Sequence, residues 1–252
     1  MGKGYFITGT DTGVGKTVIT AALATMLHQQ GLKVGVMKPA ETGCLAEGGE
    51  LLPQDALFLR NASGCTASLE LIAPYRLAEP LTPAIAAERM GIRIDIAHIR
   101  HCYERLLAEH DIVLVEGSGG LLAPLTNQFT MQDIAIELCL PIFIVARNVL
   151  GTINHTALTV SVAQQRCSVL GVIVNHTEPP DPSDLAKQTN EQALKRWVET
   201  PIYCQLPYLS TITNESLLAL GKLLATDALV DAMGLTTPGL SSLHSVEREG
   251  YL

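Results

Sequence analysis

Tyr5-Phe6-Ile7-Thr8-Gly9-Thr10-Asp11-Thr12-Gly13-Val14-Gly15-Lys16-Thr17 begins as an apolar run, breaks into glycines and closes on Gly-Lys-Thr, after which an alanine-rich stretch follows. An apolar strand, a glycine loop and a helix in that order form a phosphate loop. Its backbone N–H groups converge on phosphate oxygens, and the helix N-terminus adds partial positive charge. In this reading Lys16 reaches the β- and γ-phosphates and the Thr17 hydroxyl is a ligand for Mg²⁺. Gly13, Val14, Gly15 and Val18 complete the nucleotide contacts around them. The spacing departs from the usual motif: five residues (10–14) separate Gly9 from Gly15 where four are usual, so that Thr10 holds the first position of the usual frame.

Outward from this loop, short apolar runs alternate with longer helical stretches. Strands are predicted at 5–8, 34–37, 112–115, 142–145 and 169–174, each nearly continuous in apolar residues, as befits strands buried on both faces of a parallel sheet. Helices are predicted at 16–30, 94–109, 131–138, 152–166 and 184–197, with a last strand near 202–205 and a helix near 215–233. This alternation implies βαβ units and a doubly wound, mostly parallel α/β sheet flanked by helices. The expected organisation is one P-loop α/β domain over 1–235 followed by a tail, 236–252, expected to be mobile.

In such sheets ligands sit beyond the carboxyl ends of the strands, and the polar residues there are the candidates. Glu116 ends Ile112-Val113-Leu114-Val115, the pattern that holds Mg²⁺ in nucleotide-binding folds, and Gly117, Ser118 and Gly119 after it let backbone approach a ligand closely. Lys38 ends the second strand and adds a second cation beside the phosphates. A simple nucleotide switch needs one, so the pair points to phosphoryl-transfer chemistry or an anionic substrate. Asp55, opening a helical stretch at 54–61, is a candidate second metal ligand. Asn175 ends the strand at 169–174, where its amide can pair with N6 and N7 of adenine. His176 beside it and Pro207 beyond the last strand are assigned to the nucleotide side with it. His98 and His101, next to Cys102, read as a surface helix face rather than a metal site.

The composition narrows the function classes. Among 252 residues, 47% are hydrophobic and 17% charged, so a core is affordable and disorder of the whole chain is excluded. Lys plus Arg number 17 against 25 for Asp plus Glu, a formal charge of −8, which opposes nucleic acid as a main partner. No apolar run has the length of a membrane span, and the opening residues lack an apolar signal core. Six cysteines without a Cys-x-x-Cys pair read as reduced thiols. A soluble, cytoplasmic protein is expected.

Taken together, Gly9 through Thr17, Lys38-Pro39 with Thr42-Gly43, Asp55, Glu116-Gly-Ser-Gly119, Gly151-Thr-Ile-Asn-His155 and Asn175 resemble the dethiobiotin synthetases, over roughly residues 4 to 233. The stretched phosphate loop is characteristic of that family. Thr42 stands where the family often has Ser, and Gly13 where some members have Glu. The resemblance implies an ATP-dependent ligase of biotin biosynthesis that joins 7,8-diaminononanoate and CO₂ into the cyclic urea of dethiobiotin, releasing ADP and phosphate. A carbamate on one amine would attack the γ-phosphate, and the second amine would close the ring on the resulting carbamic-phosphoric anhydride. It further implies Lys16 and Lys38 as catalytic charge stabilisers, and Thr17, Asp55 and Glu116 as Mg²⁺ ligands. Thr12, Lys38, Thr42 and Gly119 would face the substrate. Gly151 and Asn154 would receive the substrate's far carboxylate from the neighbouring subunit of a homodimer with shared active sites. A partitioning-type ATPase is the first rival, but such proteins carry a second lysine inside the phosphate loop, and none precedes Lys16 there. A cobyrinic acid amide synthase is the second, but that family adds an amidotransferase domain for which 252 residues leave no room.

Overall fold

The computed structural model describes residues 2–235; the expected tail at 236–252 lies outside the described residues. Ten strands and ten helices follow one another in the described chain. The strands are β1 (Lys3–Gly9), β2 (Val34–Met37), β3 (Ala40–Thr42), β4 (Leu45–Glu47), β5 (Glu50–Leu52), β6 (Tyr75–Leu77), β7 (Ile112–Glu116), β8 (Ile142–Arg147), β9 (Val169–Asn175) and β10 (Ile202–Leu206). The helices are α1 (Lys16–Gln29), α2 (Gln54–Ser63), α3 (Leu69–Ile72), α4 (Pro83–Arg89), α5 (Ile96–Glu109), α6 (Met131–Glu137), α7 (Thr152–Gln164), α8 (Leu185–Trp197), α9 (Asn214–Leu224) and α10 (Asp227–Ala232).

Six strands form one sheet in the order β10-β9-β8-β1-β7-β2, every pairing parallel. β1 therefore lies inside, between β7 and β8, and its Phe6 and Ile7 are wholly buried. All of β7 is buried as well, which is why these runs are continuously apolar instead of alternating. Helix α1 packs between α2 and α9, while α5 lies on β2 and β7 and α7 on β8 and β9. Register brings the strand ends to one edge. Ile7 pairs with Glu116 and Met37 with Val115, so Lys38, next after Met37, arrives beside Glu116. Arg147 and Leu206 both pair with Asn175 farther along the same edge.

The predicted elements are present with shifted ends. The helix expected from residue 94 starts at Ile96, because the Asp95 side chain accepts from the Ala97 N–H and fixes the cap there. The helix expected over 215–233 is two helices. After α9 ends at Leu224, Thr226 caps α10 through the Leu229 N–H, and the chain turns between them. Not anticipated were the short parallel pair β3–β6 and the hairpin β4–β5. Three-residue strands are too short to display a period. None of the described helices is long and apolar enough to cross a membrane.

The α1–α9 packing depends on Gly221. A Cβ there would stand 2.7 Å from the Ala22 carbonyl oxygen and 2.7 Å from Met26 Cβ. Alanine's helix propensity would return at most about 1 kcal/mol, whereas overpacking against backbone costs about 1–3 kcal/mol. Gly221→Ala should therefore lower the melting temperature in thermal denaturation followed by circular dichroism. A raised melting temperature would show that the two helices separate at little cost.

Candidate active site

The loop between β1 and α1 takes its shape from Gly15, whose φ of 91° is left-handed. A Cβ at this position would also lie 2.1 Å from Asn175 Nδ2. Asn175 itself donates through Nδ2 to the Val14 carbonyl at 3.0 Å. One amide hydrogen of Asn175 is thus committed to holding the phosphate loop against β9, which leaves its second hydrogen and its oxygen for other partners. Lys16, 7% exposed, reaches back to the Asp11 carbonyl at 3.2 Å. Burial brings its pKa down to about 8, so an incoming anion would find an ammonium with little competing water.

At the ends of β2 and β7 four side chains converge. Lys38 Nζ lies 2.5 Å from Glu116 Oε1 and 2.7 Å from Asp55 Oδ2. The Thr17 hydroxyl donates to the same Glu116 oxygen at 2.9 Å. Burial works against the charge of Lys38, yet Glu116 and then Asp55 outweigh it and hold the ammonium protonated well above the ordinary lysine range. Glu116 is fully buried, and its Oε2 has no hydrogen-bond partner among the described residues. A buried carboxylate oxygen left unpaired is costly, and it is the kind of acceptor a hard cation satisfies. Thr17, Asp55 and Glu116 offer only oxygen donors, which suits Mg²⁺. No group of three or more His, Cys, Asp or Glu side chains poised for a metal occurs among the described residues. A set of two carboxylates and a hydroxyl fits a metal that takes its other ligands from phosphates and water.

These groups line a cleft of about 930 Å³, which Thr12, Gly13, Gly15, Val18, Thr42, Ser118 and Gly119 complete. Val14 is buried beneath the phosphate loop. Gly117 sits behind the cleft, where a Cβ would come 3.0 Å from Phe6 Cζ. The Ser118 hydroxyl donates to the Ala40 carbonyl and ties its loop to β3. Asn175, His176 and Pro207 lie along the neighbouring strand ends instead, with Pro207 exposed just past β10. His176 Nε2 accepts from Asn148 Nδ2 at 3.0 Å, and Asn148 in turn accepts from Asn190 at 2.8 Å. Burial and the nearby Lys187 hold His176 below its usual pKa. Gly151 and Asn154 are exposed at the start of α7 and do not line the cleft. His98 lies 3.8 Å from Cys102 Sγ and edge-on to Tyr75.

Glu41 is a member of the site that sequence reasoning did not single out. It is buried, and its two oxygens accept from the backbone N–H groups of Asp55 at 2.8 Å and Ala56 at 2.9 Å. Helix α2 starts after Pro53, with no capping side chain of its own, so Glu41 satisfies its first-turn donors from another element. Burial raises the Glu41 carboxyl to about 7, against the opposing pull of those N–H groups. The only signal in the sequence was a carboxylate directly before Thr42-Gly43. Capping from fourteen residues away follows no spacing rule. The cleft's far wall, Pro80 to Pro83 with Ala123 and Pro124, also carried no motif.

Residues 3–216 match the AAA domain family. The chain is 43% identical over 225 residues to the ATP-dependent dethiobiotin synthetase BioD of Thermodesulfovibrio yellowstonii, covering 86% of this chain and 93% of that protein. It is 37% identical over 222 residues to the ATP-dependent dethiobiotin synthetase BioD of Bacillus cereus strain ATCC 14579, with 87% and 90% covered. Among solved structures it is similar to the septum site-determining protein MinD of Pyrococcus horikoshii complexed with Mg-ADP, at a TM-score of 0.53 and 17% identity over 92% of this chain and 93% of that one. A ParA family ATPase from Chlorobium tepidum gives a TM-score of 0.53 at 16% identity, over 92% and 97%. These two share the P-loop fold. Identity of this order across nearly the whole of both chains, joined to the loop and strand-end residues above, shows that the chain belongs to the dethiobiotin synthetase family.

Proposed function

We propose that this ATP-dependent ligase of biotin biosynthesis closes the urea ring of dethiobiotin on 7,8-diaminononanoate through a carbamate and a carbamic-phosphoric anhydride, with Mg²⁺ bound beside the phosphates. The observation that carries the proposal is the convergence of Lys38, Asp55, Thr17 and Glu116 in the cleft that also holds Lys16. A carbamate and a γ-phosphate are both anionic, and their mutual approach requires fixed cations. Lys16 would hold the phosphates. Lys38, kept charged by its two carboxylates, would neutralise the attacking carbamate oxygen. Thr17, Asp55 and Glu116 would hold Mg²⁺, which when bound supplies further charge neutralisation at the phosphates. Thr12, Thr42 and Gly119 would orient the diamine, and the free hydrogen-bonding capacity of Asn175, with His176 and Pro207, would read the adenine.

The far carboxylate of the substrate needs a separate partner. The N–H groups at the start of α7, around Gly151 and Asn154, are suited to it, but they lie outside this chain's own cleft. A homodimer in which each chain completes its partner's site reconciles the two. Exposed Leu150 (86%) and Leu158 (59%) flank the segment, as an interface would require. A cytoplasmic location belongs to the same reading, supported by six cysteines that are all unpaired.

The test is ATP hydrolysis by the purified protein. Turnover should require 7,8-diaminononanoate and bicarbonate together, vanish with EDTA and return with Mg²⁺. Hydrolysis at an equal rate without the diamine would reject the ligase mechanism.

Glu41 should act by positioning Asp55. Glu41→Ala should raise the Mg²⁺ concentration needed for half-maximal activity by roughly tenfold, about 1.4 kcal/mol, which is the size of one net hydrogen bond. Glu41→Gln, which retains one acceptor, should recover most of it. An unchanged Mg²⁺ dependence in folded Glu41→Ala would remove that role.

Shared sites can be tested by mixing chains. A Lys38→Ala chain and a Gly151→Pro chain, each inactive alone, should regain up to a quarter of wild-type activity on equal mixing, about half of the dimers being mixed with one intact site each. No recovery in preparations shown to exchange subunits would place the whole site within one chain.

A further inference from the structure

A second cluster of reactive groups lies at the opposite end of the sheet from the cleft. Cys65 follows α2 and covers β2, an edge strand of the sheet. Its sulfur is 3.5 Å from His110 Nε2. His110 caps the end of α5, and its Nδ1 lies 2.7 Å from the Leu106 carbonyl oxygen. A carbonyl only accepts, so Nδ1 carries a proton, and in the neutral ring Nε2 presents its lone pair to the thiol. This is a nucleophile, a base and a group that orients the base. The nearby backbone N–H groups of Ala67 and Val36 also favour the ionised form of the thiol.

Cys65, with His28, Lys33, Ser63, Glu109 and His110, lines a cavity of about 470 Å³. His28 on α1, Lys33 before β2 and Glu109 on α5 are the charged or titratable groups around the pair. Burial opposes ionisation of Cys65, yet its hydrogen bond to His110 and the backbone donors bring the thiol below its ordinary value. His110 is raised, first by Cys65.

We propose that Cys65 is a thiol activated by its pairing with His110, and that the cavity over it is a site of covalent modification by small electrophiles of the hydroperoxide class. In the reaction the sulfur lone pair forms an S–O bond and the O–O bond breaks. Sulfur is oxidised to the sulfenic acid, and the peroxide is reduced to hydroxide (or alkoxide), which takes the imidazolium proton and leaves as water or alcohol. The cavity shares no lining residue with the phosphate-loop cleft, so reaction there needs no access through it.

The experiment is alkylation of the full chain with iodoacetamide at pH 6.5 and 8.5, each cysteine followed by peptide mass spectrometry, with glutathione in the same tube. An ordinary thiol of pKa about 8.5 loses on the order of 50-fold in rate across that interval. Cys65 should lose less than about fivefold, and His110→Gln should restore the steep dependence. Hydrogen peroxide followed by dimedone at pH 6.5 should tag Cys65. A Cys65 that falls as steeply as glutathione, or that stays unlabelled in the native protein while the exposed Cys139 reacts, overturns the proposal. If His110→Gln fails to fold, the wild-type pH profile alone decides.

Discussion

The buried carboxylate of Glu116 is the constraint around which the candidate site is arranged. It ends an apolar strand with no exposed surface of its own, and an isolated charge there would be prohibitively costly. Its Oε1 takes both the Thr17 hydroxyl and the Lys38 ammonium, so α1, β2 and β7 are tied together at one atom. Its Oε2 remains without a protein partner among the described residues. The fold therefore gathers the phosphate loop and a second lysine around one acceptor and leaves that acceptor's other oxygen unpaired.

From this centre the organisation spreads through α2. Lys38 pairs with Asp55 on the far side from Glu116, and Asp55 is placed by the Glu41 carboxylate on the first turn of its helix. Thus β3, a three-residue strand, matters more than its length suggests, because it presents Glu41 to that helix. The alternation of charges (Lys16, Glu116, Lys38, Asp55) leaves the protein cleft near neutrality, while each lysine remains able to meet an anion.

The strand ends around Asn175 have a different physical character. There the donors and acceptors are amides, Asn148, Asn175 and Asn190, with His176 among them. Because Nε2 of His176 accepts from Asn148, the neutral ring holds its proton on Nδ1. The uncharged groups around Asn148 and Asn190 satisfy one another and hold a fixed geometry without a large desolvation cost, in contrast to the charged cleft. The two regions meet at Asn175, which holds the Val14 carbonyl of the phosphate loop.

The elements and the strand-end positions of single residues were legible in the sequence. An apolar run ending in glycines and Gly-Lys-Thr can be little else than a strand, a phosphate loop and a helix. Continuous apolar strands separated by helix-length stretches require a parallel sheet, since only burial on both faces removes the alternation. Lys38, Glu116 and Asn175 could therefore be placed at the carboxyl ends of their strands from the sequence alone. Their partners could not. Whether Lys38 meets Glu116 depends on the register of β2 on β7, a pairing between segments more than seventy residues apart. Glu41 capping α2, the break between α9 and α10 and the Cys65–His110 pair arise in the same way, from side chains meeting across distant segments or from a local hydrogen bond prevailing over a longer apolar pattern. Sequence periodicity reports how each segment meets solvent and core; which charged groups share a buried space is decided only when the segments pack, because that packing sets the distances on which their interaction depends.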